Sequence, residues 1–542
     1  MNDCNPESYK LGQRVHSAND ARRIGTVKYV GEVQGYSGTW LGVDWDYGNG
    51  KHDGSINGVR YFQAKSQKSG SFVRVHNLSP GISLPEALRV RYRGESSKEE
   101  EDEMYVLSAS NKHVSIELVG KDKIQDKFSK FEELTSAALP YLGVSSPGAN
   151  IGTIVTNLKE LDLTGNLLSD WKDIGAIGEQ LPALAVLNLS NNLMSKEVTG
   201  LPQLKSIRIL VLNCTGVNWM QVEILKHSLP ALEELHLMGN SISEITPVSS
   251  PIVQGFDNLQ LLNLEDNCIA EWSEILKLCQ IRRLEISAFS LEQLYLNKNN
   301  LNRIYYPNND TIHELVSAHE SHEESYLPFQ NLCCLLLGSN MIEDLASIDS
   351  LDSFPKLMDI RLSENPVSDP GRGGISRFAI IARLGKIKIL NGSEVSPRER
   401  KESEIRYVRL VMSKLHDNPE EIKRLHPRFG ELKEFHGIED ERPSTGSAGD
   451  QKMSSGLISI ILKCVAASIG EKPLLTKKLP PSTTVGKLKI LCESFFKLKS
   501  IKPKLFLQEE GSPLPLLLDD EMASLMDLGI GNESTILVDD ES

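Results

Sequence analysis

Cysteine is sparse. Eight cysteines are scattered over 542 residues with no Cys-x-x-Cys pair, and only Cys333 and Cys334 are neighbours. This excludes a disulfide framework and the paired-cysteine spacing of a zinc site, so neither metal nor other cofactor is expected. No apolar run approaches the roughly 18–20 residues of a membrane span. The opening MNDCNPESYK lacks the basic and then apolar pattern of a secretory leader. The expected setting is the reducing cytosol, with no membrane partner. No Ser/His/Asp, Cys/His or paired-carboxylate constellation stands out, so no catalytic residue is assigned and a binding protein is expected rather than an enzyme. Heptads sustained long enough for a coiled coil are missing too, which argues against a coiled-coil dimer.

Charge of one sign is in excess, but unevenly. The net charge is −14, while residues 1–80 hold ten Lys and Arg against seven Asp and Glu, which leaves +3 there and −17 for the remainder. The first segment is suited to an acidic partner. A chain of this length is expected to form several domains.

Residues 9–79 contain short β segments between glycine turns (QRVHS, RIGTVKYVGEV, WLGVDWD, GVRYF, SFVRVHNL), the pattern of a small all-β barrel. The stretch GNGKHDGSINGVRYF, Gly48 to Phe62, packs glycines around a Lys-His-Asp triplet. A phosphate loop needs a strand before it, a helix after it and a hydroxyl beside the lysine, and this stretch has none of them. The blocks GTWLGVDWD, GNGKHDGSINGVRYF and KSGSFVRV resemble the signatures of a CAP-Gly domain. That resemblance implies a shallow groove for an acidic, aromatic-ended tail such as Glu-Glu-Tyr/Phe of α-tubulin. The implied site residues are Trp40, Gly50, Lys51, His52, Asp53, Gly54 and Phe62. Trp40 and Phe62 would wall an aromatic ring, Lys51 would answer a carboxylate, and nearby backbone N–H groups would hold the chain end. The family pentapeptide is Gly-Lys-Asn-Asp-Gly, and His52 stands at the asparagine. Protonation of that histidine as pH falls from about 7.5 towards 6 is expected to strengthen the grip on carboxylates.

From residue 158 the pattern L-x-x-L-x-L-x-x-N recurs in eight units, from LKELDLTGN (158–166) to LMDIRLSEN (357–365). Units of this kind are leucine-rich repeats, each giving a short strand with leucines inward and a closing asparagine that satisfies the turn. Thr215 replaces that asparagine in IRILVLNCT, and a looser turn is expected there. Outward positions of the parallel sheet include Glu160, Asp162, Glu234, His236, Asn263, Gln293, Tyr295, Asp359 and Arg361, a polar mixture that suits a protein partner and not nucleic acid. An insertion near 305–328 carries His313, His319, His322, Glu320 and Glu323, whose spacing fits a solvated acidic helix better than a metal site. The segment after the last unit is expected to form a helical cap, and HVSIELVGKDKIQDKFSKFEEL a strand and helix at the other end.

ERPSTGSAGDQKMSSG (441–456) has the composition of a flexible linker. Beyond it, strand, strand, helix and further strands over 457–542 resemble ubiquitin, without the Gly-Gly end that conjugation uses. The expected organisation is multidomain: a CAP-Gly barrel over 1–80, a connector and N-terminal cap over 81–157, a leucine-rich repeat solenoid with helical cap over 158–440, the linker over 441–456, and an α+β ubiquitin-like domain over 457–542. These modules in this order resemble the tubulin-folding cofactors. The resemblance implies capture of α-tubulin and, with cofactors D and C and β-tubulin, assembly or dissociation of the α/β heterodimer. The ubiquitin-like module would be a docking surface for the proteasome or a partner chaperone. Two alternative readings are a microtubule-associated adaptor using the same groove, against which the missing heptads argue, and a ubiquitin-pathway shuttle delivering tubulin for degradation.

Overall fold

The computed structural model describes residues 9–93, 105–107, 113–115, 131–246, 253, 256–278, 291–306, 329–369, 374–414, 419–438, 457–466, 472–498, 503–508, 515–519, 521–525, 528 and 530–540. The histidine-bearing part of the insertion (His313, His319, His322, Glu320, Glu323) and the linker 441–456 lie outside them. Two compact units divide the chain, residues 1–268 with 277–291 and residues 269–276 with 292–542. No described helix is long and apolar enough to cross a membrane.

The first unit begins with a five-stranded antiparallel sheet of β1 (Arg14–Ser17), β2 (Asp20–Val33), β3 (Tyr36–Trp45), β6 (Gly70–Val73) and β7 (Leu78–Ser79), in the order β6-β3-β2-β1-β7. A two-residue-strand hairpin, β4 (Ser55–Ile56) with β5 (Val59–Arg60), projects from it. Strand alternation sends Val15, Val27, Leu41 and Val43, all fully buried, into one small core with Tyr9, Trp45 and Leu78. Arg14 pairs with Asp46 through both guanidinium nitrogens, and its Nη1 also donates to Thr26 Oγ1 at 2.8 Å.

The β module is joined closely to the start of the repeats. Ile82–Ser83 pairs in parallel with Val144–Ser146. At the crossing, Gly81 has φ +87°, and a Cβ there would lie 2.3 Å from the Gly143 carbonyl oxygen. The Tyr47 hydroxyl lies 3.4 Å from Asn191 Oδ1 on a repeat turn, and the Arg22 guanidinium sits 5.4 Å from the Tyr141 ring centre.

The repeats form an in-register parallel ladder, with Leu161, Leu187, Leu210, Leu235 and Leu262 at its buried centre. One strand precedes the first unit legible in the sequence: Ser136–Ala138 pairs in parallel with Glu160–Asp162. Strand His113–Ser115 is found as expected, paired with Tyr105–Leu107. The helix expected after it falls outside the described residues.

Asparagines stitch the stack together. Asn192 Nδ2 donates to Leu163 O at 2.8 Å in the preceding repeat and to Leu189 O at 3.0 Å in its own. Asn166, Asn240 and Asn267 make the same pair of bonds. The residue before each closing position is left-handed, as at Gly165, Asn191, Cys214, Gly239 and Asp266. Thr215 has a single hydroxyl donor, spent on Leu212 O at 2.8 Å, so it cannot also reach the preceding repeat. Its own backbone is not loose, because Asn240 Oδ1 accepts from the N–H groups of both Thr215 and Gly216 at 2.8 Å. Thr215→Asn restores the missing bridge and is expected to raise stability by about 1 kcal/mol in urea titration. No gain, or a loss, would show that the neighbouring turn cannot accept the amide.

The outward strand face is less polar than the sequence suggests. Val186 and Ile209 are cross-strand neighbours, Val211 follows on the next row, and all three are half-buried with their side chains outward. Asn263 stands in register with His236 on the outward face but is buried there, its Oδ1 accepting from the Glu265 N–H.

In the second unit the parallel ladder runs through Gln293–Tyr295, Cys334–Leu336, Asp359–Arg361 and Ile389–Leu390. Helices Arg377–Arg383, Pro397–Lys414, Pro419–Leu425 and Phe429–Phe435 follow where a cap is expected. Their core holds Phe378, Ala382, Tyr407, Val408, Val411 and Phe429. Arg400 and Arg428 donate to the carbonyls of Ile381, Ala382 and Leu384, satisfying the end of the first of these helices. The chain then forms a ubiquitin-like sheet. Its strands are Leu475–Leu479, Ile458–Cys464, Thr535–Asp540, Pro503–Gln508 and Leu516–Leu517, in that spatial order, with helix Val485–Phe496 packed on one face.

Candidate functional site

The loop carrying Lys51 is shaped by its glycines. Gly54 has φ +98°, and a Cβ there would lie 2.0 Å from the Phe62 carbonyl oxygen. At Gly50 a Cβ would meet the Ser69 carbonyl carbon at 2.4 Å, which is how the loop lies flat on the segment leading into β6. Backbone donors are consumed in holding this geometry. Gly50 N–H donates to Lys68 O, Lys51 and His52 N–H to Gly70 O, and Gly54 N–H to His52 Nδ1. Each of these four amides therefore already has an acceptor within the module.

Lys51 itself is exposed. Asp53 faces away from a carboxylate-binding role. Its Oδ2 accepts from Arg60 Nη2 at 2.7 Å and its Oδ1 from Ser55 N–H at 3.1 Å. The Arg60 guanidinium and Ser55 hold this carboxyl below the usual range. Asp53 and Arg60 fix the hairpin, leaving Lys51 as the loop's outward charge.

Phe62 is 7% exposed and forms a floor instead of a wall. It seats over Gly42, where a Cβ would come within 2.5 Å of its ring. Tyr29 and Phe72 are the cross-strand neighbours of Gly42 on its two sides. Five rings close into one cluster: ring centres lie 5.4 Å apart for Phe62 and Phe72, 5.4 Å for Tyr61 and Phe72, 5.3 Å for Tyr29 and Tyr61, and 5.0 Å for His52 and Phe72. Sequence reasoning misses Tyr29, Tyr61 and Phe72. The period-two alternation of Phe72 and Arg74 in SFVRV is the available signal.

Trp40 is two residues from Gly42 and so on the same face of β3, where it is half-buried. The Arg74 guanidinium carbon stands 3.7 Å from its ring centre, and Tyr36 meets it edge-on at 6.0 Å. Arg74 is held by donation to Ser37 O at 2.6 Å and Thr39 O at 3.3 Å. The structure thus brings Gly50, His52, Gly54 and Phe62 together and places Trp40 farther along the same face. This face pairs a cluster of aromatic rings with the exposed cationic charge of Lys51. This combination suits a short acidic peptide with an aromatic residue.

The family model for the CAP-Gly domain matches residues 11–78. The chain is 64% identical over 539 residues to tubulin-folding cofactor E of Arabidopsis thaliana, covering 99% of each chain. It is 31% identical to tubulin-specific chaperone E of Danio rerio, covering 91% of this chain and 92% of that one. A solution structure of the C-terminal ubiquitin-like domain of mouse tubulin-specific chaperone E is 26% identical, covers 18% of this chain and 96% of that one, and has a TM-score of 0.15. With near-complete coverage on both sides at this identity, the chain belongs to the tubulin-folding cofactor E family.

Proposed function

We propose that the N-terminal groove holds the acidic, aromatic-ended tail of α-tubulin, and that the chain works with β-tubulin and cofactors D and C in assembling or dissociating the α/β heterodimer. It acts in the cytoplasm, by binding, with no catalytic step of its own. The observation that carries this reading is Lys51, exposed on a loop whose backbone is committed to the fold, beside a cluster of five rings in a positively charged module. Tail carboxylates meet Lys51, and the terminal ring lies on the aromatic surface between Trp40 and Phe72.

The solenoid supports a second contact. The apolar patch of Val186, Ile209 and Val211 suits a folded protein surface, and acidic Glu160 and Glu234 lie on the strands flanking it. Because the groove module is packed against the early repeats, the tail and the body of one partner are presented to a nearly fixed pair of sites. That arrangement raises effective concentration without needing a strong contact at either.

Calorimetric titration of the full chain with a peptide ending Glu-Glu-Tyr tests the groove. Lys51→Ala is expected to weaken binding by about 1–3 kcal/mol, and wild-type affinity should fall with added salt. Equal affinity for wild type and variant would move the contact away from Lys51. Size-exclusion of the chain mixed with α/β-tubulin then separates net dissociation, in which α-tubulin leaves alone with the chain, from binding of the intact heterodimer.

A further inference from the structure

We propose that His52 serves the groove as a neutral hydrogen-bond donor through Nε2, so that its protonation weakens ligand binding instead of strengthening it. The inference rests on the groove reading above and deepens it by naming what this position offers a ligand: one N–H, suited to a carboxylate or carbonyl oxygen.

The geometry leaves His52 little choice. Gly54 N–H donates to its Nδ1 at 3.0 Å, so that nitrogen carries the lone pair and the ring proton sits on Nε2. Its backbone is fixed on both sides, with N–H to Gly70 O at 3.1 Å and O accepting from Gly70 N–H at 2.8 Å. The ring lies tilted by 33° against Phe72 at 5.0 Å and meets Phe62 edge-on at 6.2 Å. Nε2 has no partner among the described residues.

A second proton would have to go on Nδ1, opposite the Gly54 N–H. Two donors would then face each other across 3.0 Å. The ring must turn out, and the loop that carries Lys51 loses the bond that closes it. The charged groups around the imidazole compensate only in part. Lys51 on the same loop repels an imidazolium, Asp53 is already paired with Arg60, and the rings packed against the imidazole among the described residues, Phe62 and Phe72, are uncharged. Burial lowers the His52 pKa, Asp53 pulls in the opposite direction, and Lys51 lowers it further. The change in affinity therefore belongs below the ordinary histidine value of about 6.5. Attraction between an exposed imidazolium and a tail carboxylate, screened by salt, is the smaller effect.

The test uses the full chain, a peptide ending Glu-Glu-Tyr and constant ionic strength. Wild-type affinity should fall roughly threefold to tenfold between about pH 7.5 and 5.5, the worth of one hydrogen bond. In His52→Asn the amide oxygen takes the place of Nδ1 as acceptor for Gly54 N–H, and its profile shows only the titration of the peptide. Independently of any ligand, nitrogen NMR of the [15N]histidine-labelled chain should show the His52 signal, identified by its absence in the variant, as the Nε2–H form. Tighter wild-type binding at acid pH, matching profiles for the two proteins, or an Nδ1–H tautomer would each overturn the inference. Failure of the peptide to bind wild type at every pH would remove the groove reading, and this inference with it, while an Nε2–H tautomer alongside normal binding and matching profiles would sink this inference alone.

Discussion

Gly54→Ala abolishes peptide capture while the repeats stay folded: this is the expected result of calorimetry and hydrogen exchange on that variant. The residue has φ +98°, and the added Cβ would stand 2.0 Å from one backbone oxygen and 2.8 Å from the carbonyl carbon of Phe62. No side-chain rotation relieves a contact with backbone, so either the Lys51 loop or the Phe62 floor must move. Both define the groove. A cost of about 4–5 kcal/mol is expected, at the upper end for a single substitution. Exchange should quicken along Tyr36–Trp45, while the amides of Leu161 and Leu187 keep their protection. Gly58 is the matched control, since it also has positive φ, +80°, but nothing within 4 Å of its Cβ position. Gly58→Ala should cost only about 1 kcal/mol and keep binding. Equal behaviour of the two variants would refute the steric account.

The second large effect belongs to the helical cap. Arg383 is 2% exposed, and its Nη1 donates to both carboxylate oxygens of Asp349 at 2.7 and 2.8 Å. Its Nη2 donates to Leu425 O at 2.8 Å and lies 3.1 Å from His426 Nδ1, a nitrogen that also faces the Tyr407 hydroxyl at 2.8 Å. One guanidinium therefore ties the helix starting at Leu345, the helix Arg377–Arg383 and the segment after Leu425 together. Arg383→Ala leaves Asp349 without its cation and is expected to destabilise the second unit by about 3–5 kcal/mol in urea titration.

The pH dependence of that loss has a definite sign. Burial raises the Asp349 pKa, and Arg383 is what pulls it back down. Without Arg383 the folded state holds the Asp349 proton to higher pH than the unfolded chain does. Stability then falls as pH rises through the raised value, so the deficit should be smaller near pH 5 than near pH 7.5. Replacing both partners by apolar residues, Arg383→Met with Asp349→Leu, should recover much of the stability. A double variant as unstable as Arg383→Ala would show that shape, and not the uncompensated charge, governs the site.

The difference between what sequence pattern reveals and what it hides is instructive in both halves. Leucines and asparagines at fixed offsets announce the repeats because each closing asparagine makes the same two bonds, one within its own unit and one to the unit before it. The strand Ser136–Ala138 receives only the second kind, from Asn166 of the next unit to Leu139 O at 2.9 Å, and TSAALPYLG carries no asparagine of its own. In the groove, Gly50, Lys51 and Gly54 are legible because one loop contains them. The ring cluster is not, since Tyr29, Tyr61 and Phe72 come from three separate segments: Tyr29 and Phe72 meet through strand register across Gly42, and Tyr61 reaches both from outside the strands. Aromatic character alone suggests Phe62 as a wall, but whether a ring becomes wall or floor depends on the missing Cβ beneath it. For His52, a pentapeptide position suggests a charge, while a single 3.0 Å bond from Gly54 N–H fixes the neutral form.

Elastic compliance in a stack coupled only between neighbours concentrates at its weakest joint. In the first unit that joint lies between the repeat ending at Asn192 and the one ending at Thr215, where a hydroxyl replaces the two-handed amide. Bending there breaks fewer inter-repeat bonds than bending between Asn166 and Asn192 or between Asn240 and Asn267. Val186 and Ile209 face each other across this same joint. The apolar patch of Val186 and Ile209 thus straddles the place where the stack bends at the loss of the fewest bonds.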